Sequence, residues 1–172
     1  MRQMTKKSEA IAEKIIELST LTHKLSVWRF KGSKIVFTNG CFDVLHHGHV
    51  YLLNQAAEID HPVILVVGLN SDDSVKQLKG ENRPVNNFND RALLLSNLYV
   101  VDYVVGFNEL TPIELIKMIQ PDYLVKGGDY KEDEIVGAEI VKSYGGKVAV
   151  IPYLENYSST SVIEKLGRGE KK

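Results

Sequence analysis

Cysteine is almost absent from this sequence: Cys41 is the single one among 172 residues. An internal disulfide needs two cysteines, so the sequence excludes a small secreted domain held together by disulfide bonds. Cysteine use of this kind suits a reducing compartment such as the cytoplasm.

The sequence also lacks an excess of either charge and any long hydrophobic run. The formal net charge is −1, from 21 basic and 22 acidic residues, which gives no electrostatic footprint for nucleic acid. No run approaches the ~18 apolar residues of a membrane-spanning helix. The polar N-terminus, residues 1–10, has no apolar centre of the kind that export signals carry. We therefore expect a cytoplasmic protein that binds neither nucleic acid nor a membrane.

The overall composition is that of a folded globular protein, with 44% hydrophobic and 25% charged residues. The length predicts one domain with one sizeable core. Apolar residues at helical spacing between Ser8 and Leu21 predict an amphipathic helix. We accordingly divide the chain into an N-terminal helical extension, residues 1–30, and a main domain, residues 31–172. The extension is expected to pack on the main domain or on a second copy of the chain.

Apolar runs alternate with helical segments through the main domain. Thr111 followed by Pro112 predicts a helix that begins with Thr111 as the cap. Further helices are expected over residues 134–144 and from Ser161. Strands are expected at residues 34–38, 63–68, 102–107, 123–126 and 147–151. This alternation predicts a Rossmann-like, doubly wound α/β fold, with a five-stranded parallel sheet and helices on both faces.

The segment from Thr38 to Val50 is the strongest functional signal in the sequence. It follows a buried strand, precedes a helix, and contains His46, His47 and His49, three of the five histidines. A strand, a glycine-bearing loop and a helix start form an anion site, because the first N–H groups of the helix lack partners. Histidines concentrated in this way are more often functional than structural. Zinc is the chemical alternative, with His47, His49 and Asp43 as ligands, although no second cluster completes the shell.

His46-His47-Gly48-His49 matches the HxGH signature of the nucleotidyltransferase superfamily. The longer segment from Thr38 to Val50, with Leu78–Asn86 and Leu124–Tyr130, resembles the adenylyltransferase domain of the bifunctional heptose kinase/adenylyltransferases of ADP-heptose synthesis. The motifs occur in the order of that family, and the likeness covers nearly everything from Lys34 to Leu166. The resemblance implies a strand order of 3-2-1-4-5.

That order places the reversal of winding between strands one and four, where open α/β sheets bind ligands. The loop Thr38–Asp43 and the segment Lys126–Asp129 are then expected to meet across one crevice. The resemblance assigns catalysis to His46 and His49, with the two imidazoles on the triphosphate. Lys126 joins them as a catalytic candidate because it ends an apolar strand at the predicted reversal. An imidazole beside phosphates is expected to stay protonated. His47 is expected to point away.

The same resemblance implies two further groups of residues. The nucleotide-binding candidates are Thr38, Asn39, Gly40, Cys41, Phe42, Gly48, Arg91, Ser159, Thr160 and Ser161. The substrate-binding candidates are Asp43, Lys79, Arg83, Gly127, Gly128 and Asp129. Asp43 and Asp129 are open to two roles, Mg²⁺ binding or contact with substrate hydroxyls.

Several of these residues have ordinary structural explanations. Lys79 and Arg83 fit a solvated charged loop, and Arg91 fits an exposed helix surface. Ser161 is expected to cap a helix whether or not it also binds phosphate. The chemistry of this family forms no covalent enzyme intermediate, so Cys41 is expected to be a small packed residue rather than a nucleophile.

The implied activity is transfer of AMP from ATP, with Mg²⁺, to D-glycero-β-D-manno-heptose 1-phosphate, which gives ADP-heptose and pyrophosphate for lipopolysaccharide core or another surface glycan. One alternative is a cytidylyltransferase acting on glycerol 3-phosphate or another polyol phosphate. Another is a non-catalytic nucleotide-binding protein. The chain has no room for the sugar kinase of two-domain relatives, so a separate kinase is expected to supply the sugar 1-phosphate. A homodimer is expected.

Overall fold

A parallel sheet with helices on both faces forms the centre of the protein in a computed structural model, which describes residues 5–152, 154, 159, 162 and 163. The strands are β1 (Ile15–Ile16), β2 (Lys34–Gly40), β3 (Val63–Asn70), β4 (Tyr103–Phe107), β5 (Tyr123–Gly127) and β6 (Lys147–Ile151). The helices are α1 (Lys6–Ala12), α2 (Leu18–Phe30), α3 (His47–Ala57), α4 (Asp72–Lys79), α5 (Phe88–Ser96), α6 (Ile113–Ile119) and α7 (Ala138–Ser143). The predicted doubly wound α/β class is confirmed.

The strands lie in the order β1-β4-β3-β2-β5-β6, and all neighbours are parallel. For the five strands predicted from the sequence, this is the expected order 3-2-1-4-5. The predicted strand count is wrong by one, because Ile15 and Ile16 pair with Val104 and Val105 at the edge of the sheet. A strand of two residues has no alternation of its own, so the helical periodicity around it dominated the prediction.

The segment before residue 31 is more complex than a single amphipathic helix. It contains α1, β1 and α2, and α2 places Leu21 and Trp28 in the hydrophobic core beside the sheet. The Trp28 ring packs on Tyr103 of β4, with ring centroids 4.8 Å apart. These contacts give residues 15–30 a share in the core of the main domain. The division of the chain at residues 30 and 31 stays a prediction.

Successive residues of the central strands face opposite sides of the sheet. Ile35 and Phe37 of β2 pack in one hydrophobic cluster with α2, α6 and α7, whereas Val36 packs in a second cluster with α3 and α5. All three side chains are fully buried. Burial on both faces explains why the strands appear in the sequence as uninterrupted apolar runs.

Two predicted helices differ from the structure at their ends. Pro112, rather than Thr111, is the cap residue of α6. The helix expected over residues 134–144 is shorter, because α7 begins only after Gly137, whose φ is +91°. That left-handed conformation interrupts an α-helix and favours glycine, which has no Cβ.

The helix predicted from Ser161 lies almost entirely outside the described residues. In that part of the chain, Ser159, Val162 and Ile163 are described, and they are helical. Among all described residues, no helix is both long enough and apolar enough to cross a membrane.

Candidate active site

A crevice of about 1220 Å³ opens at the carboxyl ends of β2 to β6. Its walls come from the loops that follow these strands, and β2 lies at the centre of the sheet between β3 and β5. The chain proceeds from β2 to one side and later returns to the other, so the winding direction reverses between β2 and β5. Open α/β sheets bind ligands at such a reversal. The crevice therefore lies where the sequence predicted it.

The loop after β2, residues 41–46, leads into the N-terminus of α3; we call it the histidine loop. His46 is the cap residue of α3, has an extended backbone (φ −142°, ψ 170°), and makes no capping hydrogen bond through its side chain. The first N–H groups of a helix lack partners within it and form the positive end of its dipole. Because Gly48 in the first turn lines the crevice, this helix end is presented to a ligand there.

The imidazole rings of His46 and His49 form a stacked pair on the crevice wall. Their centroids are 3.8 Å apart, with 26° between the ring planes, and the Phe42 ring lies 5.0 Å from that of His49. The Nδ1 atoms of both imidazoles are buried and have no hydrogen-bond partner among the described residues. Two such rings retain hydrogen-bonding capacity for a ligand.

Burial determines the protonation of this pair. It lowers the pKa of His49 to about 3, with the charges of His46 and Lys79 acting in the same direction, and it also lowers the pKa of His46. Both rings are therefore neutral at pH 7 in the protein alone, and protonation beside phosphates stays a prediction. The negative charge of a polyphosphate acts in the opposite direction and favours protonation.

Lys126, in β5, brings a cation to the same crevice. Its Nζ donates a hydrogen bond of 3.1 Å to the carbonyl oxygen of Asn39 in β2. Burial lowers the pKa of Lys126 to about 8, so the ammonium group is still largely charged at pH 7. Among the described residues no carboxylate forms an ion pair with it. A buried cation without a counter-ion is stabilised by an anionic ligand.

Asp43 and Arg83 are paired with each other, and the direct substrate contact expected of both stays a prediction. The Asp43 carboxylate is almost fully buried and forms an ion pair with the Arg83 guanidinium. Its other oxygen accepts hydrogen bonds from the N–H groups of Val85, at 2.7 Å, and Asn86, at 3.0 Å. Asp43 borders the crevice, but its carboxylate holds the segment 83–86 against the histidine loop.

Arg91 has a structural role that neither of its predicted roles anticipated. Its side chain is fully buried, so it is neither an exposed helix residue nor a direct contact for a nucleotide. The guanidinium donates to the carbonyl oxygens of Cys41, at 2.6 Å, and Asn86, at 3.0 Å, and pairs with Asp72 at 2.7 Å. Arg91 therefore joins the histidine loop, the segment 83–86 and the start of α4 from behind the crevice.

Many of the remaining candidates border the crevice: Asn39, Gly40, Cys41, Phe42, Gly48, Lys79, Gly127, Asp129 and Ser159. The Ser159 hydroxyl also donates a hydrogen bond of 3.2 Å to the carbonyl oxygen of Val44 in the histidine loop. Burial raises the pKa of the Cys41 thiol. The thiol therefore stays protonated at pH 7, as expected of a packed residue and not of a nucleophile.

Four of the described candidates do not line the crevice: Thr38, Arg83, Arg91 and Gly128. Thr38 is fully buried within the sheet, and Gly128 is also buried, with its N–H donating to the Ile151 carbonyl oxygen at 2.9 Å. Burial beneath neighbouring residues corrects the direct ligand contacts predicted for these two. Thr160 and Ser161 lie outside the described residues.

The zinc alternative has no support in the described part of the chain. No group of three or more His, Cys, Asp or Glu residues there is arranged to hold a metal ion. His47 is exposed and does not line the crevice, while the Asp43 carboxylate pairs with Arg83.

The crevice also contains residues that the sequence did not single out. They are Leu52, Asn70, Leu78, Leu110, Thr111, Pro112, Tyr130, Val136, Ile151, Pro152 and Leu154. Leu78 and Tyr130 belong to the family-like segments, and Thr111 and Pro112 to the predicted helix start, but none of the set was predicted to line a site. The alignment of parallel strand ends brings them together. Asn70 had the clearest available signal, because this polar residue directly follows an apolar run predicted to be a buried strand.

Comparison with known proteins gives a consistent result. A family model described as cytidylyltransferase-like matches residues 37–165. The bifunctional protein HldE of Wolinella succinogenes is 51% identical over 154 residues, which is 90% of this chain and 31% of that protein. HldE of Helicobacter hepaticus is 50% identical over 160 residues, 93% of this chain and 32% of that protein. The chain thus spans about a third of the length of these curated relatives.

Solved structures show the same similarity. A lipopolysaccharide core biosynthesis protein from Thermoplasma volcanium matches with a TM-score of 0.57 and 28% identity, over 73% of this chain and 98% of that one. Pantoate-beta-alanine ligase from Francisella tularensis, complexed with beta-gamma ATP and beta-alanine, matches with a TM-score of 0.57 and 17% identity, over 90% of this chain and 78% of that one. The second likeness is one of fold alone.

Proposed function

This chain belongs to the cytidylyltransferase-like family, and we propose that it is an adenylyltransferase that transfers AMP from ATP to D-glycero-β-D-manno-heptose 1-phosphate. The products are ADP-heptose and pyrophosphate, and the sugar nucleotide serves synthesis of lipopolysaccharide core or another surface glycan. The names of the relatives support this choice of acceptor, since they include HldE and a lipopolysaccharide core biosynthesis protein.

The observation that carries the proposal is the meeting of three groups in one crevice. The stacked imidazoles of His46 and His49 lie at the start of α3, and the ammonium group of Lys126 lies at the end of the neighbouring strand β5. Helix N–H groups, imidazoles and a buried lysine are the donors that a polyphosphate needs.

The reaction needs positioning and charge stabilisation more than a general base. An anionic oxygen of the sugar phosphate attacks the α-phosphorus of ATP, and the bond from that phosphorus to the bridging oxygen of the β-phosphate breaks. Pyrophosphate leaves with the bonding electron pair. Negative charge on the phosphoryl oxygens is stabilised by His46, His49 and Lys126, whose geometry exists before the substrates bind.

Mg²⁺ is included in the proposal as the partner of ATP. It is usually held by one or two carboxylates together with the phosphates of the substrate. Asp129 is exposed on the crevice and would hold it, whereas the Asp43 carboxylate pairs with Arg83. The ion, when bound, reduces the negative charge of the triphosphate.

The wider assignments are also part of the proposal. A sugar kinase supplies the sugar 1-phosphate, the active form is a homodimer, and the enzyme works in the cytoplasm, where ATP is available. These statements follow from the family resemblance and from the proposed chemistry.

Pyrophosphate release tests the proposal. Purified protein is incubated with Mg²⁺, each of the four nucleoside triphosphates, and a panel of sugar and polyol phosphates. ATP with the heptose 1-phosphate is expected to give the highest kcat/KM, and a variant with both His46→Ala and His49→Ala serves as the inactive control. CTP with glycerol 3-phosphate as the best pair would identify the alternative transferase. Triphosphate binding without pyrophosphate release from any pair would identify a binding protein.

A further inference from the structure

The crevice has two chemically different halves on either side of the histidine pair. The half at β5 and β6 contains Lys126, and Ser159 lies against the histidine loop. The half at β3 and β4 contains Asn70, Lys79 and Thr111, which combine an amide, a cation and a hydroxyl. A small ligand with one phosphate and several hydroxyls matches the second half.

Asn70 is the most rigidly held polar side chain of that second half. It is the last residue of β3 and is only 3% exposed, yet it borders the crevice. Its Nδ2 donates a hydrogen bond of 2.9 Å to the hydroxyl oxygen of Ser74. The Ser74 hydroxyl is fully buried and donates in turn to the carbonyl oxygen of Glu109 at 3.0 Å.

These two hydrogen bonds determine the orientation of the Asn70 amide. A serine hydroxyl has one hydrogen, and that hydrogen is used on Glu109, so Ser74 can only accept from Asn70. Nδ2 therefore points to Ser74. No other described residue bonds to Oδ1 or to the second N–H, so both are left for a ligand. An acceptor and a donor on one fixed amide suit a hydroxyl group, which itself both donates and accepts.

We propose that Asn70 binds a hydroxyl group of the phosphorylated acceptor and so contributes to acceptor specificity; this inference rests on the proposed transferase function. Lys79, which lines the same half of the crevice, provides a cation for the acceptor phosphate, and the histidine pair binds the triphosphate between the two halves. A buried amide that loses its ligand hydroxyl is left unpaired, which is how such a site rejects an acceptor without that hydroxyl.

Steady-state kinetics of Asn70→Ala with ATP and the best acceptor of the panel provide the test. Loss of one hydrogen bond is expected to lower kcat/KM for the acceptor about tenfold, while the KM for ATP stays within about twofold of wild type. Asn70→Asp keeps the size of the side chain but adds negative charge beside the acceptor phosphate, so a larger loss is expected. Asn97→Ala, which changes an exposed asparagine at the end of α5, is the matched control.

A set of monodeoxy acceptor analogues identifies the contact itself. Wild type is expected to lose about tenfold in kcat/KM with the analogue that lacks the bound hydroxyl, and Asn70→Ala is expected to lose nothing further with that analogue. The role of Asn70 would be overturned if every analogue lowered kcat/KM equally in wild type and in Asn70→Ala. It would also be overturned if Asn70→Ala changed only the KM for ATP. Transfer by wild type to no acceptor at all would instead overturn the proposed function, and this inference with it.

Discussion

The Nζ of Lys126 lies 3.1 Å from the carbonyl oxygen of Asn39, although 87 residues separate the two along the chain. The contact joins β5 to β2, which pair in register as Thr38 with Val125. The ammonium group is thereby held beside the start of the histidine loop. Its position depends on the pairing of two strands that are distant in sequence, and its lowered pKa depends on the burial that this pairing produces.

Replacing either crevice histidine should abolish most of the activity. His46→Ala and His49→Ala each remove an imidazole that is expected to stabilise the transferring phosphoryl group, so kcat should fall by about 10²–10³-fold. Pyrophosphate release measures this effect, and circular dichroism confirms the fold. His23→Ala, which changes an exposed histidine of α2, should retain wild-type turnover. Wild-type turnover in both crevice variants would reject the assigned roles.

The activity should decline at alkaline pH because Lys126 loses its proton. The pKa of this lysine is lowered to about 8, so the ammonium group is charged below that pH and neutral above it. The pH profile of kcat/KM reports ionisations of the free enzyme and should therefore fall through about pH 8. Lys126→Arg, which stays charged, should be slower at pH 7 but lack this alkaline decline. Lys126→Ala should lose about a hundredfold in kcat/KM for the sugar phosphate.

His49 should make the protein less stable in mild acid. Its folded-state pKa of about 3 lies below the unfolded value near 6.5, so the unfolded chain binds the proton more tightly. The contribution of His49 to the free energy of unfolding is therefore fully present above pH 6.5 and is lost as the pH falls toward 3. Between pH 7 and 5 the loss is about 2 kcal/mol of unfolding free energy. Urea denaturation of wild type and His49→Gln at both pH values measures it, and an equal pH dependence in the two proteins would contradict the prediction.

Arg91→Met should destabilise the fold rather than change ligand contacts directly. The substitution leaves the carbonyl oxygens of Cys41 and Asn86 without a donor and Asp72 without its cation. Removing one partner from such a buried network costs about 3 kcal/mol. Equilibrium unfolding in urea provides the value. Lys76→Met, which removes an exposed charge on α4, should change the free energy of unfolding by less than about 0.5 kcal/mol. A similarly small change for Arg91→Met would contradict the structural role.

Local patterns in the sequence were sufficient for most of the architecture. The apolar runs predicted β2 to β6, because strands buried on both faces need apolar residues at every position. The edge strand β1 was missed because two residues, Ile15 and Ile16, show no periodicity, and their pairing with Val104 and Val105 depends on a distant strand.

The sequence by itself determined the alternation of strands and helices, and the spacing of His46, Gly48 and His49 predicted an anion site at the start of a helix. Only the tertiary structure decided what the charged residues around that site do. Asp43 and Arg91 carry charge that the sequence suggested for ligands, but folding buries both side chains and brings an ion-pair partner to each. Periodicity is a local property that a sequence displays directly, whereas a charged side chain bonds to whatever folding places beside it, and burial then sets its pKa.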